Sequence, residues 1–338
     1  MIWPVVIWGA AVPAALSLVL FALAIKLAPG ARSKAQTQAH EHEHERARWA
    51  AALAMGAAYI AAQLGLDGGP NAGEITERML FWIALAAIAI GVLEGAWQAM
   101  PATLRWALRV VGAGAVGYAL ASPLASAQHW SSAALAGWVL AIGSALVLVW
   151  TVLDSVAARE PGPSLAMALS VVGGLGAAVL VLSNLATGAR VAGALAAAAG
   201  GAMLVTWRAP AEGRLRSAAP LISAALVTHW AIAVLYGEMP KATFALLVIA
   251  PAALLLARVP RIKRASAVLA LAVRLGVLSA PMAGGLALAA SKYFAGQASA
   301  GGGYGAPPTP TTSSTTTAPG GKPGTAAGST SDDDYGYD

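Results

Sequence analysis

The chain has 338 residues, 58% of them apolar and 11% charged, with no cysteine and a formal net charge of +6. Soluble domains carry about 25% charged residues, so this composition excludes a water-soluble globule and, for the body of the chain, intrinsic disorder. Without cysteine there is no disulfide, thiolate metal site, iron–sulfur ligation or thiol nucleophile. What remains is a multi-pass membrane protein.

A transmembrane helix needs about 20 mostly apolar residues. Ten stretches qualify: Trp3–Leu27, Ala47–Leu66, Ile75–Gln98, Thr103–Ala125, Ser131–Val156, Ser164–Leu185, Ala189–Trp207, Ala218–Tyr236, Ala242–Val259 and Ala265–Tyr293. They are rich in Ala, Leu, Val and Gly without period-2 alternation, which disfavours barrel strands. The expected fold is therefore all-α, a polytopic helical bundle of about ten transmembrane helices over residues 1–295. The first stretch has no basic start and runs too long for a signal peptide, so it reads as a retained helix. Short connections carry the breakers, as in Asp67-Gly-Gly-Pro70 and Pro161-Gly-Pro163.

The connection after helix 1 contains His40-Glu-His-Glu-His44, which formally includes H-E-x-x-H. Leu66-Asp-Gly-Gly69 looks like the second motif of intramembrane site-2 metalloproteases. In that family both motifs lie at similar depth, whereas here the whole of helix 2 separates them. The reading adopted is a charged extension of helix 2. His40 and His44 are at most a weak metal or proton site, because two imidazoles lack a third ligand.

Gly112-Ala-Gly114-Ala-Val-Gly117 fits G-x-G-x-x-G but lies inside helix 4, not between a strand and a helix. Together with Gly173, Gly174, Gly176, Gly193, Gly200, Gly201, Gly284 and Gly285, it is expected to let helix backbones approach closely.

Basic residues alternate between the two sets of connections. One side carries Lys26, Arg32, Lys34, Arg46, Arg48, Arg105, Arg109, Arg159, Arg208, Arg214, Arg216, Arg258, Arg261, Lys263 and Arg264. The other carries Arg78, Arg190, Lys241, Lys292 and Lys322. The positive-inside rule then puts both termini outside the cytoplasm. The net positive charge is a topology signal whose natural partners are anionic lipid headgroups, with no need for nucleic acid. The excess of Arg over Lys, with abundant Ala and Gly, points to a GC-rich bacterial genome and an inner membrane.

Ionisable groups in spans are costly and hence informative. Toward the cytoplasm lie Glu94, Arg105, Arg109, Asp154 and Arg159, with Arg105 and Arg109 on one helix face; they are candidates for a gate or a carboxylate clamp. Toward the outside, His229 and Glu238 form a candidate proton relay. Arg274 lies nine residues into helix 10, a rise of about 13–14 Å, which predicts a position near the bilayer midplane. Its candidate counter-ions are Glu94 and Asp154. Pro13, Pro251 and Pro281 fall inside helices 1, 9 and 10 and are expected to perturb them.

Residues 296–338 are dominated by Gly, Ala, Thr, Ser and Pro and end Asp332-Asp-Asp334-Tyr-Gly-Tyr-Asp338. This segment buries too little apolar surface to order itself, so it is expected to be a disordered tail with an acidic end. The functional expectation is a transporter-like protein for a small solute, with proton coupling as an option. The alternative is a non-transporting structural or assembly subunit of a membrane complex, touching protein partners. A membrane-embedded enzyme ranks third, because the chain has no dense His/Asp cluster, nucleophile motif or soluble catalytic domain; no cofactor is implied.

Overall fold

The computed structural model describes residues 3–27, 49–67, 75–97, 99–160, 162–208, 215–259 and 267–301. Among these residues there are ten helical runs and no strand. Helix α1 comprises Trp3–Val6, a π-turn at Ile7–Ala11, and Val12–Leu27. There follow α2 (Ala50–Asp67), α3 (Ile75–Ala96), α4 (Ala102–Ala127), α5 (Ser132–Ala157), α6 (Gly162–Leu182) and α7 (Ala186–Arg208). A 3₁₀ turn, Arg216–Ala218, leads into α8 (Ala219–Leu235). Helix α9 (Lys241–Ile249) continues as a 3₁₀ stretch, Ala250–Arg258, and α10 spans Ala267–Gly301.

Eight of these helices are long and apolar enough to cross a membrane; Ala50–Leu66 and Lys241–Leu256 are shorter apolar helices. The protein is a multi-pass, membrane-embedded all-α bundle. The chain divides into a compact unit, Met1–Gly296, and a second unit, Gln297–Asp338, of which only the end of α10 is described. The expected tail beyond Gly301 lies outside the described residues, as do His40 and His44.

Two prolines explain departures from regular α geometry. Pro13 has no N–H to offer the Gly9 carbonyl, and its ring crowds that carbonyl. The turn just before it widens, and the Val12 N–H bonds Ile7 O instead. Pro251 interrupts the α ladder in the same way, so the ninth helix is α only to Ile249 and 3₁₀ thereafter. The expectation of one α-helix across 242–259 is corrected accordingly. Pro281 is accommodated within α10.

The core is organised around α8. Every residue from Ala219 to Ala233 is buried, and the helix packs against α3, α4, α5, α6, α7 and α9. A helix enclosed on all sides must be largely apolar all round, and the polar side chains this one buries, Ser223, Thr228 and His229, each engage a carbonyl one turn back. Small residues bring neighbouring helices together at some of the expected places only. A Cβ on Gly201 would strike the Ala14 carbonyl of α1, one on Gly117 would lie 2.8 Å from Val139 O of α5, and one on Gly173 2.9 Å from Ala196 Cβ of α7. Gly112, Gly114, Gly174 and Gly193 face open space, so for them the packing expectation is corrected.

Candidate functional site

Helices α3, α4, α5 and α8 converge at the end of the bundle that carries the α3–α4, α5–α6 and α7–α8 connections. Glu94 stands in the last turn of α3, Arg105 and Arg109 in the first two turns of α4, Asp154 in the last turn of α5, and Arg216 in the turn preceding α8. The Asp154 carboxylate accepts from Arg216 Nε at 2.6 Å and from Nη2 at 3.3 Å. Arg109 Nη2 lies 2.9 Å from Asp154 Oδ2 and 3.7 Å from Glu94 Oε1. Asp154 is thus clasped by two guanidiniums, while Glu94 has a single looser ion-pair partner among the described residues.

The network is largely enclosed. Side-chain exposure is 4% for Arg109, 8% for Glu94 and 11% for Asp154; only Arg216, at 36%, opens outward. Trp106 and Trp150 complete the shell, with the Arg109 guanidinium carbon 5.7 and 5.3 Å from their ring centroids. Rings at this distance favour a cation whose water has been stripped. Taking such charges out of water is expensive, and only mutual pairing offsets it. Arg105 Nε and Glu94 Oε1 remain buried without a hydrogen bond among the described residues.

Sequence reasoning placed Glu94, Arg105, Arg109, Asp154 and Arg159 at one end of the bundle; the structure joins Glu94, Arg109 and Asp154, while Arg105 and the exposed Arg159 enter none of the described ion pairs. Sequence reasoning missed Arg216. That residue counted only as loop charge, because the polar segment 208–216 gives no sign of which arginine turns inward.

Arg274 does not meet Glu94 or Asp154. Its Nη1 donates to Glu160 Oε2 at 2.6 Å, among the apolar side chains of Val156, Leu165, Leu254, Leu271 and Leu275. Glu160 belongs to the α5–α6 connection, and α10 starts no earlier than Ala267 among the described residues. The guanidinium is therefore held beside that connection, and Glu160 replaces the expected Glu94 or Asp154 as its counter-ion. Glu160 was overlooked because an acid beside Pro161-Gly-Pro163 reads as a solvated turn.

His229 is enclosed within α8, its Nδ1 2.6 Å from Ala225 O, with Nε2 buried and unpartnered among the described residues. Glu238 is exposed in the α8–α9 connection, and its backbone carbonyl takes Lys292 Nζ at 2.6 Å. The two expected relay partners thus engage different groups, and no described contact joins them. No group of three metal-ligating side chains occurs among the described residues.

A cleft of about 300 Å³ adjoins the ionic network, lined by Trp82, Ile83 and Ile90 of α3, Ala115 and Val116 of α4, and Trp150 of α5, whose ring also neighbours Arg109. Neither a family model, nor a curated protein, nor a solved structure matches this chain.

Proposed function

We propose that this protein is a bacterial inner-membrane transporter for a small solute, with both termini outside the cytoplasm and the Glu94–Arg109–Asp154–Arg216 network as its cytoplasmic gate. The observation that carries the reading is this enclosed network linking four helices at one end of the bundle. The alternation of basic residues supports assigning that end to the cytoplasm.

The two acids are held unequally, and this gives the gate a proton-sensitive element. Asp154 is paired at short range with two arginines. Glu94 faces one guanidinium at 3.7 Å and has no hydrogen bond on Oε1. A proton taken up by Glu94 converts carboxylate to carboxyl, cancels its attraction for Arg109, and loosens α3 from α4 while the Asp154 pairs persist.

The test needs no known substrate. Ser223, seven residues beyond Arg216 on α8, is fully buried. Ser223→Cys in this cysteine-free chain is treated with an impermeant thiol reagent in inside-out and right-side-out vesicles. A transporter gate predicts slow labelling from the cytoplasmic face that rises several-fold when Glu94→Gln is added. Equally slow labelling from both faces, with and without Glu94→Gln, would mark a static bundle and favour the structural-subunit reading.

A further inference from the structure

The cleft and the ionic network share the same four helices in matching register. Ile90 precedes Glu94 by four residues, Gly112 follows Arg109 by three, Trp150 precedes Asp154 by four, and Pro220 follows Arg216 by four; the first member of each pair lines the cleft. Residues three or four apart stack on one helix face. The charges therefore cap one end of an otherwise apolar trough. Trp150 belongs to both, lining the cleft while the Arg109 guanidinium sits 5.3 Å from its ring.

We infer that this trough binds an anionic membrane lipid, with an acyl chain along α3 and α4 and the headgroup against Arg105 and Arg216, beside the enclosed Arg109. The walls recognise hydrocarbon alone, and their volume falls within the range of about 300–1,000 Å³ that serves ligand pockets. The small residues Ala86, Gly112, Ala115 and Ala119 keep the trough open, and a Cβ at Gly112 would meet nothing within 4 Å beyond its own stretch of helix.

The charge balance chooses the headgroup. Arg109 and Arg216 pair with the two carboxylates, Glu94 and Asp154, and Arg105, one turn before Arg109 on the same face of α4, adds a third guanidinium and leaves one positive charge over; its Nε is buried without a hydrogen bond among the described residues. A phosphodiester bearing one negative charge neutralises the set and supplies the missing acceptors. A zwitterionic headgroup adds no net charge and leaves the excess in place. This inference stands whether or not the protein transports a solute.

The full chain is reconstituted in phosphatidylcholine nanodiscs that contain increasing fractions of phosphatidylglycerol or phosphatidylcholine with dibrominated acyl chains. Bromine quenches tryptophan on contact, and the Trp150→Phe variant isolates the Trp150 contribution. Brominated phosphatidylglycerol should quench that component at a several-fold lower mole fraction than brominated phosphatidylcholine. Gly112→Leu sets its Cβ in open space on the cleft wall and should abolish the high-affinity component; Arg105→Ala should reduce the preference for phosphatidylglycerol while quenching persists. Identical titrations with the two lipids, no quenching of the Trp150 component by either, or a phosphatidylglycerol response that survives Gly112→Leu would overturn the inference.

Discussion

Arg274 on α10 and Glu160 between α5 and α6 are joined by a 2.6 Å ion pair whose side chains are 14% and 11% exposed. It ties the last helix of the bundle to a connection more than a hundred residues earlier in the chain. Breaking one side of a buried pair leaves an uncompensated charge, at a cost of about 3–5 kcal/mol in soluble proteins. Arg274→Ala and Glu160→Gln should each lower the detergent melting temperature. Arg274→Lys should recover part of the loss, because it keeps the charge without the planar fork. The double variant Arg274→Ala/Glu160→Ala should be less damaged than the sum of the two single changes to alanine. Strict additivity in that thermal-denaturation cycle would show that the pair contributes no coupling.

Within the network the members should rank unequally. Asp154→Ala removes the shared partner of two arginines and leaves the almost fully enclosed Arg109 only its looser Glu94 contact, whereas Arg216→Ala removes a partly exposed cation and leaves Asp154 its Arg109 contact. The expected loss is about 3–5 kcal/mol for Asp154→Ala and clearly less for Arg216→Ala. The fraction of monodisperse protein surviving a temperature series in mild detergent measures the order. Equal losses would show that Asp154 is not the hub.

Close helix contacts offer a paired test. Gly201→Ala drives a methyl into the Ala14 carbonyl, and backbone cannot step aside as a flexible side chain can. Overpacking of this kind costs about 1–3 kcal/mol. Gly193→Ala on the same helix meets open space and should be neutral or slightly stabilising. Comparable destabilisation by both variants in a melting experiment would contradict the described α1–α7 approach.

Orientation is testable at two exposed positions. Gln128 lies after α4 and Arg159 after α5, at opposite ends of α5. With the termini outside the cytoplasm, Gln128→Cys should react with an impermeant thiol reagent in intact cells, and Arg159→Cys only after permeabilisation. The reverse pattern would invert the assignment. Ser217, although it lies in a basic connection, is a poor reporter: it is buried, and its hydroxyl accepts the Ala52 N–H at 3.2 Å.

The sequence by itself determined the class of structure. Apolar runs of membrane length, scarce charge and breakers between the runs leave a helical bundle as the way to satisfy the backbone in hydrocarbon. It also determined that Glu94, Arg109 and Asp154 share one end, because alternating helices bring the end of one beside the start of the next. Tertiary structure alone decided the pairings. Arg274 chose Glu160 over the two acids inside the spans, and Arg216 turned inward to Asp154, through contacts 114 and 62 residues apart in the chain. Hydropathy reports the depth of a residue and not the azimuth of its helix face. The neighbour of a side chain depends on how each helix is rotated about its axis, and packing against α8 fixes that rotation. The same blindness explains the glycines: Gly193 and Gly201 look alike along the chain, yet one faces open space and the other meets a backbone.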